Sequence, residues 1–493
     1  MRIGLICGDG LPVSGLLTTF RNVLYLGREL GVLDAGVTVP ADLGFSWRAD
    51  KSAYFPDGGK DLVIPEWMEL TGCRTDDYID RDRLASELTA IRQGIARFES
   101  LAGDERAHLR HRIASLASIY EQHFAAWLQI NRPDWVIAIN MTLSDAVPAT
   151  LALHRAAAAH YSSRPGGLVF WDHDLYGSCS VRDPASGARM YPERPPPLAP
   201  VPAKQPHVRW AVVSSSLAEE ASSYLTELVP LVVPNVLPAI PPGLDKRHLE
   251  FRRQERLDPA RPILANPARV FHVKGVHVAV QALAALRDQA RDRRLAIPYL
   301  LLFGSLLEDR DYARQVVDLV HRLGLDDDVR FLGGVPLTSY RDDTGLWHLD
   351  EVDVLRLAAA SAGGVIFTPS VPDVETVGLG PGLAAAALLP CLITDYDAFY
   401  RVYGPGLTCT LAATAPAAME RAAAEFMTVL QLSRRKDPAM VTVLEDNQRL
   451  VAQVFPASAW IDLWHDLHRA VEPDTPPAPA TVTPLKGGWP PAS

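Results

Sequence analysis

The 493-residue chain has five cysteines, Cys7, Cys73, Cys179, Cys391 and Cys409, an odd number scattered without CxxC or any other metal-ligand spacing. That pattern speaks against a disulfide framework and a structural zinc site, and it fits a reduced compartment. Positive charge is not in excess: 48 Lys+Arg against 58 Asp+Glu give a formal net charge of −10. With no basic face to follow a phosphate backbone, nucleic acid is not an expected partner. No segment reaches the ~20 consecutive apolar residues of a membrane span. The opening MRIGLICGDGLP reads as a buried strand entering a loop, without the apolar core and cleavage site of a secretory leader, so a cytoplasmic location is expected. An Asp-x-Asp motif behind a strand of the N-terminal half is also lacking, apart from the outline Asp172-His173-Asp174.

What is present is ordinary globular composition, 48% hydrophobic and 22% charged, in a chain long enough for two cores. Short apolar runs alternate with helical stretches: Ile3 to Ile6, Trp135 to Ile139, Gly167 to Trp171, Trp210 to Ser214 and Leu231 to Val233, then Ile263 to Ala265, Tyr299 to Phe303, Val329 to Leu332, Gly364 to Thr368 and Cys391 to Thr394. This alternation predicts an α/β protein with two Rossmann-like domains, each a parallel sheet wrapped by helices. The proline-rich VPNVLPAIPPGLD, near Pro234 to Asp245, marks the hinge, dividing residues 1–240 from 241–454. Between Arg83 and Gln129, Leu109, Ile113, Leu116, Tyr120, Phe124, Trp127 and Leu128 fall on one helical stripe broken near Gly103-Asp104, the spacing of a packed face. Residues 455–471 read as an amphipathic helix, and 472–493 as a Pro- and Ala-rich disordered tail. The stretch from Phe45 to Asp82 has no clear period and is where acceptor-binding loops are expected.

Two segments carry chemistry. In TPSVPDVETVGLGPGLAAAALLPCLITD, Thr368 to Asp395, an acidic residue precedes a glycine-rich turn, an apolar helix and a buried strand. Gly378, Gly380 and Gly382 allow backbone N–H groups to approach an anion, with the run Ala384 to Leu389 expected to offer it a helix N-terminus and Glu375 at the mouth. In ILANPARVFHVKGVHVAVQALAAL, Ile263 to Leu286, Arg269 and Lys274 fall on a strand-to-helix loop. A guanidinium fork and a mobile ammonium on one such loop make a diphosphate clamp.

The second segment, PARVFHVKGV, resembles the GR-x4-KG loop of retaining glycosyltransferases of the type usually numbered family 4, with Arg269 and Lys274 on its cation positions. Leu300 to Pro336 is similar to that family's strand, helix and "RVRFLG-x-VP" turn, and the glycine segment to its E-x7-E region, with Glu375 as the first Glu and Pro390 and Asp395 on the "GLPVVASD" strand. Ser14-Gly15 resembles the family's glycine loop after the first strand. NRPDWVIAIN, ending at Asn140, resembles its "PDVVHAHN" strand, and WDHDLYG, Trp171 to Gly177, the strand carrying an active-site His. SSSLAEE and VPNVLP resemble the elements before the inter-domain crossing. The likeness runs in order over residues 1 to 470. It implies the GT-B arrangement, two Rossmann-like domains facing across a cleft, with the 455–471 helix returning to the first.

The resemblance also implies roles. A nucleotide-diphosphate sugar would be the donor substrate, a small molecule the acceptor, and the leaving diphosphate would be stabilised by Arg269 and Lys274 without a metal or other cofactor. His173 would position the transferred sugar or leaving group, with Asp172 and Asp174 fixing its tautomer. Gly15, Glu375, Val377, Gly378, Leu379 and Leu383 would complete the nucleotide-sugar site, and homo-oligomers are left open. One position departs: the second Glu of E-x7-E is Leu383, and leucine cannot accept ribose hydrogen bonds. That departure keeps two alternatives in play, a catalytically degenerate sugar-nucleotide binder and another GT-B activity such as a sugar-nucleotide epimerase. Base, sugar and acceptor are not legible.

Overall fold

The computed structural model describes residues 1–8, 15–48, 63–71, 80–179, 182 and 187–472. Ser14, Cys73, residues 49–62 and 72–79 of the aperiodic stretch, and the tail from 473 lie outside the described residues. The chain separates into two compact units, one of residues Met1–Asn235 with the segment that begins at Ala457, the other of Val236–Pro456.

The first unit runs β1 (Ile3–Cys7), α1 (Gly15–Glu29), β2 (Val39–Asp42), β3 (Met68–Leu70), α2 (Arg81–Ala96), α3 (Gly103–Asn131), β4 (Trp135–Ile139), α4 (Val147–His160), β5 (Gly167–Asp172), β6 (Val208–Val212), α5 (Ser215–Ala221) and β7 (Leu231–Val232). Its strands form one parallel sheet in the order β3-β2-β1-β4-β5-β6-β7. Every residue of β1, β4 and β5 is buried, because helices cover both faces of a parallel sheet; this is why these strands read as continuous apolar runs. The predicted stripe of α3 is buried along its length, from Leu109 to Leu128, and the helix break comes at Arg97 to Ala102. The short β2 and β3 were not expected: VPAD and MEL are too brief and too mixed to show a period.

The second unit runs α6 (Lys246–Gln254), β8 (Ile263–Asn266), α7 (Val276–Asp292), β9 (Tyr299–Leu302), α8 (Arg310–Arg322), β10 (Val329–Phe331), the hairpin strands β11 (Tyr340–Arg341) and β12 (Trp347–His348), α9 (Glu351–Ala360), β13 (Gly364–Phe367), α10 (Gly380–Ala386), β14 (Cys391–Thr394), α11 (Phe399–Tyr403), β15 (Thr410–Ala412), α12 (Pro416–Arg434) and α13 (Pro438–Val454). Its parallel sheet has the order β10-β9-β8-β13-β14-β15. The direction of strand addition reverses between β8 and β13, and in doubly wound sheets ligands bind beyond the strand ends at such a reversal. Leu264, Val280, Leu283, Leu300, Ile366, Leu392 and Phe426 are among the fully buried residues of this unit's core.

The last helix, α14 (Ser458–Val471), belongs to the first unit and is fastened there by indoles. Trp460 Nε1 donates to Pro234 O at 3.1 Å, Trp464 Nε1 to Val23 O at 3.1 Å, and Trp135 Nε1 to Leu467 O at 3.0 Å. Trp171 and Trp460 meet edge to face with centroids 4.6 Å apart. Each buried indole thus has a satisfied N–H and a packed ring. Trp464→Phe, which deletes one hydrogen bond, is expected to cost about 1 kcal/mol. Trp464→Ala, which also opens a cavity, is expected to cost about 3–5 kcal/mol. Urea denaturation of the two variants reads the difference.

Candidate functional site

Parallel pairing of β8 with β13, with Gly364 opposite Leu264 and Val365 opposite Ala265, sends two loops out of the same sheet edge. The first, residues 267 to 275, carries Arg269 and Lys274; the second, residues 368 to 379, carries Glu375 and the glycine turn. The loops are stitched together at backbone carbonyls of the first. Ser370 N donates to Val273 O at 3.0 Å, Ser370 Oγ to His272 O at 2.6 Å, and Thr368 Oγ1 to Gly275 O at 3.1 Å. Gly275 makes this approach feasible, since a Cβ there would stand 1.8 Å from Thr368 O and the residue has φ +64°.

The result joins two of the predicted residues directly. Lys274 Nζ lies 2.7 Å from Glu375 Oε1, across 101 residues of sequence. Both side chains are largely enclosed, so without a ligand each neutralises the other. Arg269 is paired elsewhere: its Nε donates to both oxygens of Glu308 at 3.2 Å, and its guanidinium lies 4.6 Å from the Phe271 ring. Glu308 was not anticipated. Its one signal in sequence is an acid in the turn after β9, within the LLLFGSLLEDRDYAR segment.

The glycine turn is built differently from the expectation. The helix spans Gly380–Ala386, so it does not begin at Ala384, and Leu388 leaves it in the left-handed region at φ +53°. Gly380 is required by the ring of Phe367, whose Cδ2 would be 2.4 Å from an added Cβ, and Gly378, at φ +68°, by the hydroxyl of Tyr396 at 2.5 Å. The Gly382 N–H, expected to face an anion, instead donates to Tyr403 Oη at 3.2 Å, and that hydroxyl donates in turn to Gly378 O at 2.7 Å. The glycines thus serve close packing on β13 and two buried tyrosines. Val377 is buried, Leu379 half-buried, and Leu383 only 4% exposed.

In the first unit, His173 follows β5 and is oriented by Asn140, at the end of β4. Asn140 adopts φ +53°, a conformation asparagine tolerates, and its Oδ1 accepts from His173 N at 2.7 Å and Asp174 N at 3.2 Å. The imidazole is 7% exposed, packs 4.5 Å from the Trp171 ring, and its Nε2 has no hydrogen-bond partner among the described residues. Burial lowers its pKa to about 3, so it is neutral. The two aspartates do not fix its tautomer. Asp172 points to the opposite side of the strand, accepting from Trp210 Nε1 at 2.8 Å, and Asp174 Oδ2 accepts from Asn140 Nδ2 at 3.1 Å. Burial raises the Asp172 carboxyl to about 7 against the pull of the Trp210 hydrogen bond. The loop beyond is pinned by Glu220, which accepts from Gly177 N at 2.6 Å, Ser178 N at 2.9 Å and Tyr224 Oη at 2.6 Å. Gly15 is the first residue of α1, and a Cβ added there would meet none of the described residues within 4 Å.

The Asp172–His173 neighbours give opposite pH dependences of stability. From pH 3.8 to about 7 the unfolded carboxyl ionises while the folded one keeps its proton, so this group's contribution falls as pH rises. From pH 6.5 down to about 3 the unfolded imidazole gains a proton that the folded one refuses, so that contribution falls as pH drops. Relative to wild type, Asp172→Asn is expected to gain stability as pH rises from about 4.5 to 6.5 and His173→Gln to gain it as pH falls over the same interval, read from urea midpoints at each pH. Leu383→Glu places a carboxylate at a buried position and is expected to cost about 3 kcal/mol or more by thermal melting.

No protein-family model matches the chain, and no curated protein matches it in sequence. Solved structures do match in fold. A glycosyltransferase from Rickettsia africae superposes with TM-score 0.53 at 13% identity, covering 96% of this chain and 99% of that one. Sucrose-phosphate synthase from Thermosynechococcus elongatus gives TM-score 0.53 at 16% identity with the same coverage. The Anabaena protein HepE, solved with UDP and glucose, gives TM-score 0.51 at 14% identity over 95% of this chain and 99% of its own. At this level of identity the likeness concerns the fold, and the two Rossmann-like units are those of the GT-B architecture.

Proposed function

We propose that the protein is a retaining glycosyltransferase that transfers a sugar from a nucleoside diphosphate donor to the hydroxyl of a small-molecule acceptor. The observation that carries this reading is the convergence of Arg269, Lys274 and Glu375 on one sheet edge, at the reversal of strand order. A departing diphosphate needs its growing negative charge matched, and two fixed cations supply that match. Lys274 exchanges Glu375 for a phosphate oxygen, and Glu375 so released accepts hydrogen bonds from donor-sugar hydroxyls. His173, neutral and with Nε2 unpartnered among the described residues, offers its imidazole to a sugar hydroxyl. The acceptor oxygen forms the new glycosidic bond as the bond to the diphosphate breaks, and the acceptor's proton passes to the leaving phosphate on the same face. Val377, Gly378 and Leu379 border the nucleotide with Leu383 packed behind them, and Gly15, at the start of α1, is the corresponding position of the first unit.

HepE holds UDP, so UDP-sugars are the first donors to test. Buried Leu383 favours a second reading, a binder that retains the donor without turning it over. Release of nucleoside diphosphate from a donor panel, with and without candidate acceptors, separates the two: acceptor-dependent release identifies a transferase, and tight binding without release a degenerate member. Arg269→Ala and Lys274→Ala are each expected to lower turnover at least about tenfold, since each removes a charge-assisted contact of about 1.5–3 kcal/mol. Activity is expected to survive chelation by EDTA. Wild-type rates in both variants, or an absolute requirement for magnesium or manganese, would contradict the clamp.

A further inference from the structure

Arg269 is bound along one edge and one face before any ligand arrives. Glu308 receives its Nε–H and also lies 3.1 Å from Nη2, while Phe271 covers one face of the guanidinium. Nη1 has no partner among the described residues. The Glu308 side chain is 2% exposed against 33% for Arg269, so the carboxylate is the fixed end of the pair. Its turn is itself rigid. Gly304 lies so close to the β8 loop that an added Cβ would be 2.5 Å from Val270 N, and Asp309, next to Glu308, caps α8 by accepting from Tyr312 N at 3.1 Å.

We propose that Glu308 is a positioning residue: it grips the Nε edge of Arg269 so that the Nη1 corner is presented to the donor diphosphate. This rests on the role proposed above for Arg269. A guanidinium carries five N–H donors in a planar fork, and one edge engaged by a carboxylate leaves the other edge for a phosphate. Arg269 therefore binds an anion without releasing Glu308, whereas the reading above has Lys274 exchange Glu375 for its ligand. The negative charge of Glu308 opposes an incoming anion, but the guanidinium stands between them. An Arg freed from Glu308 would keep its charge and lose its direction.

Calorimetric titration of the full chain with inorganic pyrophosphate and with UDP tests this, using Glu308→Gln, Glu308→Asp, Arg269→Ala and the double variant Glu308→Gln/Arg269→Ala. Glu308→Gln keeps the reach and loses the charge; Glu308→Asp keeps the charge and loses the reach. Each is expected to weaken pyrophosphate binding roughly five- to tenfold, and the Glu308→Gln effect is expected to vanish in the Arg269→Ala background, the signature of two residues acting as one unit. A purely structural Glu308 would shift the melting temperature and alter affinity equally in both backgrounds, which would overturn the proposal. So would wild-type or tighter binding by both Glu308 variants while Arg269→Ala weakens it, an outcome that leaves the diphosphate clamp standing. If Arg269→Ala itself leaves pyrophosphate affinity unchanged, the clamp fails and the positioning role with it.

Discussion

The pairing of β8 with β13 decides where the chemistry of the second unit gathers. Neither loop has a fixed partner until those strands lie side by side, and once they do, the carbonyl of Thr368 closes on Gly275 and Ser370 closes on Val273 and His272. Two segments separated by 101 residues then share one surface, where the Lys274 ammonium is largely enclosed and neutralised by Glu375. A side chain larger than glycine at 275 would push the loops apart and dissolve the ion pair with them. The positions of the charges follow from a backbone fit, and the fit follows from the reversal of strand order.

Enclosed charge is handled differently at the candidate residues of the two units. In the second, each cation is given a carboxylate, Lys274 to Glu375 and Arg269 to Glu308, so removal of either member strands the other in a poorly solvated site. In the first, burial is met by proton occupancy: His173 sheds its proton and Asp172 holds on to one well above the usual carboxylate range. The first solution retains charge at the sheet edge, as the proposed anionic ligand would require. The second keeps an imidazole neutral, able to donate from one nitrogen and accept at the other.

Much of this was legible in the sequence, for identifiable reasons. Fully buried parallel strands such as Trp135 to Ile139 and Cys391 to Thr394 announce themselves as unbroken apolar runs, and the α3 stripe repeats at helical spacing over many turns. Strands of two to four residues carry little pattern: β7 was marked only by the short apolar run Leu231 to Val233, and β3 by nothing. At the candidate site, Arg269, Lys274 and Glu375 stand out because two loop segments, one with paired cations and one with an acid before a glycine turn, read together as one site and resemble known motifs. Glu308 escaped because one acid among Glu308, Asp309 and Asp311 looks like ordinary helix-start charge, and only the fold tells the cap, Asp309, from the ion-pair partner.

The glycine turn shows the limit of reading a motif by its most familiar use. Three glycines before an apolar helix suggest backbone donors aimed at an anion, yet here Gly380 makes room for Phe367, Gly378 for Tyr396, and the Gly382 N–H is spent on Tyr403. Tyr403 is fully enclosed, and burial raises its pKa well above the ordinary phenol value, so its hydroxyl stays protonated and can bridge Gly378 O and Gly382 N at once. Both contacts are internal to the turn, and they fix its curvature from behind. The glycines thereby hold the segment after Glu375 close against β13, and the carboxylate is set at the height of Lys274 by a turn whose own N–H groups are in part already satisfied. On the proposed reading, anion recognition at this sheet edge would fall to side-chain cations more than to backbone amides, which would make the orientation of Arg269 and the exchange of Lys274 the two variables that matter there.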